Sequence, residues 1–127
     1  MTVASPLEIR VRRASRRVEV DFADGAKFGY PAEYLRVESP SAEVQGHHPG
    51  ERVTVPGKIG VGIQGVEPIG HYAVRIQFDD GHDTGIYTWE YLHQLGVEYA
   101  ERWERYLQEL AVKGFSRDPV AGRPELR

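Results

Sequence analysis

The chain has 127 residues, 40% of them hydrophobic, with 16 Lys and Arg against 19 Asp and Glu and a net charge of −3. That length and apolar share suit one domain with its own core, and the charge balance argues against a general nucleic-acid binder. Cysteine is absent, which excludes disulfides and thiolate sites, no apolar run approaches the ~20 residues of a membrane span, and the first residues lack a secretory h-region, so a cytoplasmic, bacterial-type protein is expected.

Leu7, Ile9 and Val11 alternate with charged residues, and so do Val18, Val20 and Phe22. Period-2 patterning on both sides of Ala14-Ser15 predicts a β-hairpin with one buried face. A two-residue turn there sets Val11 opposite Val18, Ile9 opposite Val20 and Leu7 opposite Phe22. Asp24-Gly25 predicts a second turn, followed by a short strand at Lys27–Tyr30. Pro31 suits the start of a short helix, Ala32–Val37. From Ser39 to Gly70 the chain holds seven glycines and four prolines. This predicts loops with short strands at Val53–Val55 and Ile59–Val66.

Tyr72, Val74, Ile76 and Phe78 give the clearest strand pattern in the chain. Asp80-Gly81 predicts another turn and Gly85–Tyr87 another short strand. Thr88 can cap a helix that runs to about Leu95 and ends at Gly96. A last amphipathic helix covers about Val97–Lys113, with Tyr99, Trp103, Tyr106, Leu107 and Leu110 on one stripe and Gly114 closing it. The expected architecture is α+β: antiparallel hairpins with short helices and a longer C-terminal helix, as one domain over residues 1–114. Residues 115–127 read as a flexible tail.

Val18-x-Val20-x-Phe22-x-Asp24-Gly25 matches Val74-x-Ile76-x-Phe78-x-Asp80-Gly81, and Glu33-Tyr34-Leu35 matches Glu90-Tyr91-Leu92. Each stretch reads as strand, turn, strand and helix. Two explanations stand: a duplicated unit, or two hairpins that share a common turn dipeptide.

Catalytic motifs are scarce. Gly60-x-Gly62-x-x-Gly65 has the spacing of a dinucleotide loop, but Pro68 and Gly70 follow where a helix must start. A glycine-rich bent strand is the better reading. The five histidines, His47, His48, His71, His82 and His93, show no helical metal-ligand spacing. His82 sits in a carboxylate-rich turn, Asp79-Asp80-Gly81-His82-Asp83, and reads either as a solvated turn residue or as a ligand or pH-sensitive contact. Neither a nucleophile elbow nor a P-loop is present. Arg10, Arg12, Arg13, Arg16 and Arg17 cluster at the first hairpin. In the predicted register Glu19 faces Arg10, which leaves a small anion patch or a solvated strand face.

Tyr30-Pro-Ala-Glu-Tyr-Leu-Arg36, Gly70-His-Tyr-Ala-Val74 and the run from Phe78 through Asp-Asp-Gly-His-Asp-Thr-Gly-Ile-Tyr-Thr to Trp89 resemble the gamma-butyrobetaine hydroxylase-like N-terminal domain family. The resemblance spans roughly Leu7–Gly96. It implies a non-catalytic domain, because in the multidomain hydroxylases iron and 2-oxoglutarate bind elsewhere in the chain. It also implies a comparison of zinc ligands: the relatives' three cysteines fall on Ser39, Ser41 and Val44, and their histidine on His82. One donor of four survives, so no such zinc site is expected and no cofactor is assigned. His47 and His48, with Glu43 and His82, are the only remaining candidates for a rebuilt metal site.

The resulting expectation is a non-enzymatic accessory or interaction domain with a protein partner, from iron–sulfur assembly or oxygenase chemistry by the resemblance. No nucleic acid or membrane partner is expected. Tyr34, Arg36, His82, Tyr87 and Trp89 are the candidate contact residues, against the alternative that the aromatics among them are core. Metal handling or iron–sulfur cluster assembly is the other function considered.

Overall fold

The structure, a computed structural model, describes residues 5–48 and 50–119. It is α+β, as the patterning predicts. Strands β1 (Pro6–Arg12), β2 (Arg17–Phe22) and β3 (Lys27–Pro31) form one antiparallel sheet, followed by helices α1 (Ala32–Val37) and α2 (Ala42–Gln45). Strands β4 (Ile63–Ile69), β5 (Ala73–Phe78) and β6 (Ile86–Thr88) form a second antiparallel sheet, followed by α3 (Trp89–Val97) and α4 (Tyr99–Lys113). Among the described residues no helix is long and apolar enough to cross a membrane.

The first hairpin holds Val11 opposite Val18, Ile9 opposite Val20 and Arg10 opposite Glu19, as expected. Its turn is longer than two residues: Arg13–Arg16 lie between the strands, and Arg16 N–H donates to the Arg13 carbonyl at 3.2 Å. Arg16 takes the left-handed φ of 53° that closes it. The predicted Leu7–Phe22 pair does not form. A bulge at Leu7 lets Pro6 pair with Phe22 and Glu8 with Asp21, and Leu7 turns outward, 74% exposed. Pro6 was the available signal, since proline collects at strand starts and bulges.

Val53–Val55 and the residues before Ile63 form no strand. They run as loop, and Tyr106 donates its hydroxyl to the Val55 carbonyl at 2.6 Å. Tyr72 lies in the β4–β5 turn and is exposed rather than on the strand face. Gly96 does not end its helix either, since α3 continues to Val97 and the break falls at Glu98. Glycine is required there by packing. A Cβ on Gly96 would lie 2.3–2.6 Å from the Phe28 ring atoms. Gly96→Ala is therefore expected to lower stability by about 1–3 kcal/mol through overpacking, despite alanine's ~1 kcal/mol advantage in a helix. Urea unfolding checks this; a more stable variant would show that the ring moves freely.

Residues 115–119, expected within the tail, fold back. Gly57 N–H donates to the Ser116 carbonyl and Ile59 N–H to the Arg117 carbonyl, at 2.9 and 3.1 Å. Arg117 makes a bidentate pair with buried Glu33 at 2.7 and 2.8 Å. Residues 120–127 of that expected tail lie outside the described residues.

Both sheets, α1 and α3 share one core, including Val20, Phe22, Leu35, Ile76, Phe78, Leu92 and Leu95. Tyr106 and Leu110 of α4 close a smaller cluster on Val37. The sequence repeat is a structural repeat. In each half, the aspartate of Asp-Gly accepts an N–H two residues on, at 2.9 Å for Asp24 and 3.0 Å for Asp80, and the glycine has φ +93°. Both first strands carry a bulge at the second position, Leu7 in β1 and Gln64 in β4.

The halves also exchange contacts reciprocally. Tyr30 donates to the Leu92 carbonyl and Tyr87 to the Leu35 carbonyl. Tyr34 donates to the Leu95 carbonyl, and Tyr91 to that of Glu38. Asp24 meets His93 of α3, and Asp80 meets Arg36 at the matching place on α1. Residue i of one half touches j of the other while their counterparts touch in return, which is the form of a two-fold contact.

Candidate functional site

The family-like residues converge where α1 ends, α2 begins and the β5–β6 turn meets them. Ser41 caps α2, its hydroxyl accepting the Glu43 N–H at 3.2 Å. This places Glu43 over the turn that carries His82. His82 Nδ1 lies 3.0 Å from Glu43 Oε1 and its Nε2 lies 2.8 Å from Ser39 Oγ. A carboxylate only accepts, so the ring proton sits on Nδ1 and Nε2 accepts the serine O–H. Ser39 Oγ in turn accepts the Ser41 N–H at 3.2 Å, and Ser41 Oγ pairs with Thr84 Oγ1 at 2.8 Å.

Beside this network Asp80 takes Lys58 Nζ at 2.7 Å, Arg36 Nε at 2.8 Å and the His82 N–H at 3.0 Å. Burial alone would raise its carboxyl, but Lys58, the His82 N–H and Arg36 together outweigh it and hold it at about 2. Arg36 Nη1 is buried with no hydrogen-bond partner.

The connectivity Ser39–His82–Glu43 is that of a nucleophile, base and orienting acid. No motif spacing reveals this triad, because the three residues come from two segments far apart in the chain. The burial, however, is inverted. Ser39 is 0% exposed, whereas the Glu43 side chain is 65% exposed. The serine oxygen would lie 2.5 Å from a Cβ on Gly85, with Pro40 also against that glycine. An acyl substrate has no approach to it. The arrangement fixes a turn against a helix cap.

The same geometry tests a metal. The positions aligned with the relatives' ligands do come together around Ser39 and His82, but they supply two hydroxyls, one imidazole and the apolar Val44. Neutral hydroxyls are poor zinc donors, so these residues do not fit the relatives' zinc. His47 and His48 do not join His82. Their backbone N–H groups donate to Glu51 Oε1, at 2.8 and 3.2 Å. Among the described residues no three His, Asp or Glu side chains form a metal-binding group.

Of the five candidate contact residues, Tyr34 and Tyr87 are fully buried, with their hydroxyls engaged on backbone carbonyls. They frame the site from within and offer no contact face. His82 is 6% exposed, and the Arg36 side chain 12%. Trp89 is half-buried about the β4–β5 turn, its indole N–H donating to the His71 carbonyl at 2.7 Å. Of the five, Arg36 and His82 reach solvent at their edges and Trp89 in part, with Glu43 exposed beside them.

Burial, then Arg36, lowers the pKa of His82, while Glu43 and Asp80 pull it the other way. The folded chain thus resists a proton that the unfolded chain takes up near pH ~6.5. Its contribution to stability is complete above that pH and is lost as pH falls toward the lowered value. The melting temperature is expected to drop between about pH 7 and pH 5, and to drop less in His82→Gln. Equal slopes in the two proteins would remove the imidazole as the cause. Asp80 acts in a separate, lower window. Its stabilisation is present above pH ~3.9 and disappears toward about pH 2.

The family model described as gamma-butyrobetaine hydroxylase-like, N-terminal, matches residues 9–93. Among solved structures, one NMR solution structure is 45% identical with a TM-score of 0.83, covering 98% of both chains. A second is 42% identical with a TM-score of 0.79, covering 94% of this chain and 92% of its own. A crystal structure of a protein of unknown function in the DUF971 family, from Acidithiobacillus ferrooxidans, is 48% identical with a TM-score of 0.61. It covers 72% of this chain and 92% of its own. No curated protein matches.

Proposed function

Since the chain belongs to the gamma-butyrobetaine hydroxylase-like N-terminal domain family, we propose that it is a non-catalytic accessory domain that binds a protein partner in the bacterial cytoplasm. The observation that carries the non-catalytic part is the enclosure of Ser39. Ser39, whose hydroxyl has an imidazole beside it, is 0% exposed and walled by Gly85 and Pro40. A fluorophosphonate probe is expected to leave Ser39 unlabelled; labelling above a Ser39→Ala control would overturn this.

The contact face proposed is the solvent edge of Arg36, Glu43 and His82, with Trp89 beyond it. The partner class follows the resemblance: an iron–sulfur assembly protein or an oxygenase. Co-purification of the untagged chain with such partners is expected to weaken in Arg36→Ala and His82→Ala. Retention of every partner by both variants would remove this face.

A second reading, metal handling or iron–sulfur assembly with ligands from the domain itself, draws on the His82–Glu43 pair at 3.0 Å. Substoichiometric zinc and iron in protein purified without an affinity tag would exclude it.

A further inference from the structure

One contact between the halves lacks its two-fold counterpart, and the place where that counterpart would fall is open. In β1 the bulge falls at Leu7, in β4 at Gln64. The last paired residues of the two hairpins are Arg12 with Arg17 and Ile69 with Ala73. Counting one residue on, Arg13 of the first hairpin is the counterpart of Gly70 in the second. Arg13 extends across to the other half and donates Nη2 to the Gln64 carbonyl at 2.7 Å. The mirror contact would run from residue 70 to the carbonyl of Leu7, but residue 70 is glycine and has no side chain to send. Leu7 and Gly70 both line a cleft of about 480 Å³, together with Glu8, Ile9, His71 and Trp89.

We propose that this cleft receives an arginine side chain from a partner protein, completing from outside the contact that Arg13 makes from within. Its chemistry suits a guanidinium. By the same two-fold relation, the Leu7 carbonyl is the counterpart of the Gln64 carbonyl that Arg13 uses. Glu8 adds a carboxylate; its ion partner among the described residues, Arg10 at 3.0 Å, is also held by Glu19 and Asp21. Trp89 adds an aromatic wall, on which arginine stacks better than lysine does. That wall is preformed, because Trp89 is tied through its indole to the His71 carbonyl and through its backbone N–H to the Tyr72 carbonyl, at 2.7 and 3.1 Å. A pocket of this size lies within the range of ordinary side-chain and small-ligand sites, ~300–1,000 Å³.

The inference rests on the interaction-domain reading, and its test is separate from the co-purification one. The isotope-labelled full chain is titrated with N-acetyl-arginine amide and followed by NMR. Saturable shifts are expected at the Leu7, Glu8, Gly70 and His71 amides and at the Trp89 indole N–H. Half-saturation should fall on the order of 1 mM for so small a probe. The uncharged N-acetyl-citrulline amide should shift them at least ~10-fold less. Leu7→Arg, at an exposed position, supplies a competing guanidinium and should abolish the response while its melting temperature stays unchanged. Shifts that do not saturate, that centre on the Glu101 and Glu104 face of α4, that appear equally with citrulline, or that persist in Leu7→Arg would each overturn the proposal. Such a failure removes the cleft alone and leaves the Arg36–His82 face to its own experiment.

Discussion

Glu38→Ala is expected to destabilise the fold by about 3–5 kcal/mol, the usual cost of removing one partner from a buried ion pair. Glu38 is 0% exposed and lies at the end of α1. Its carboxylate takes Arg102 at 2.9 Å, both terminal nitrogens of Arg52 at 3.3 Å, and Arg105 at 3.5 Å. Its own backbone carbonyl accepts the Tyr91 hydroxyl. One residue thus joins α1, the loop at Arg52, α3 and α4. Without the carboxylate, Arg102 keeps Glu98 at 2.8 Å, and Arg52 keeps only Glu109 at 3.6 Å. Arg52 Nε already lacks a partner, so its charge would be stranded.

Two controls decide whether Glu38 is the hub or one pair among many. Arg105, 48% exposed at its end of the network, should cost no more than about 1 kcal/mol on truncation to alanine. Glu38→Gln keeps the shape and loses the charge, so it should fall between. The readout is chemical denaturation at constant pH. A Glu38→Ala loss under about 1 kcal/mol would mean that the arginines rearrange into solvent and that the network is ornamental. Against a total domain stability of ~5–15 kcal/mol, the expected loss is large enough to leave part of the population unfolded at 37 °C.

The second large effect is expected from the reciprocal tyrosines. Tyr30→Phe and Tyr87→Phe each remove a buried hydroxyl donor from a backbone carbonyl, that of Leu92 or Leu35. Loss of such a bond costs about 0.5–1.5 kcal/mol, so the double variant should lose about 1–3 kcal/mol. Neither substitution changes the packing of the ring, which isolates the hydroxyl. The two single losses should be similar, since the two bonds, 2.7 and 2.6 Å long, occupy matching places in the two halves. A loss confined to one tyrosine would show that the two-fold contact is a likeness of geometry without a likeness of energy. Burial pushes the pKa of both phenols upward, so neither bond should weaken at any pH below the ordinary tyrosine range near ~10.

Much of this architecture was legible in the sequence where the signal is local. Val74, Ile76 and Phe78 alternate, and they form β5. Two Asp-Gly dipeptides mark turns because glycine accepts the φ of +93° found at both. Arg10 with Glu19 follows from strand register. What the sequence hid is long-range or steric. The Leu7 bulge shifts pairing by one residue and turns an apolar side chain outward, which alternation cannot reveal. Gly96 reads as a helix stop, yet it is there for the Phe28 ring, a neighbour that only the fold supplies. Tyr34 and Tyr87 stand out as contact candidates through the family-like stretches, with core as the alternative; both are buried and find backbone acceptors inside. The Ser39–His82–Glu43 chain joins residues 39 to 43 positions apart, a separation no motif covers. The resemblance had marked Ser39, Ser41 and His82 as former ligand positions, and the structure brings them together without a donor set for the metal.

The tyrosine bonds between the halves span 52 to 62 residues. While the chain is being synthesised, the first three strands and α1 emerge with Tyr30 and Tyr34 lacking their native acceptors, because Leu92 and Leu95 have not yet been made. The nascent first half thus leaves the ribosome as an incomplete surface, and it gains its acceptors only once α3 has followed. Contacts of such long sequence separation slow folding and keep apolar strand faces exposed in the interval. The chain is expected to acquire protection from proteolysis in a late step, once α3 is available to the first half.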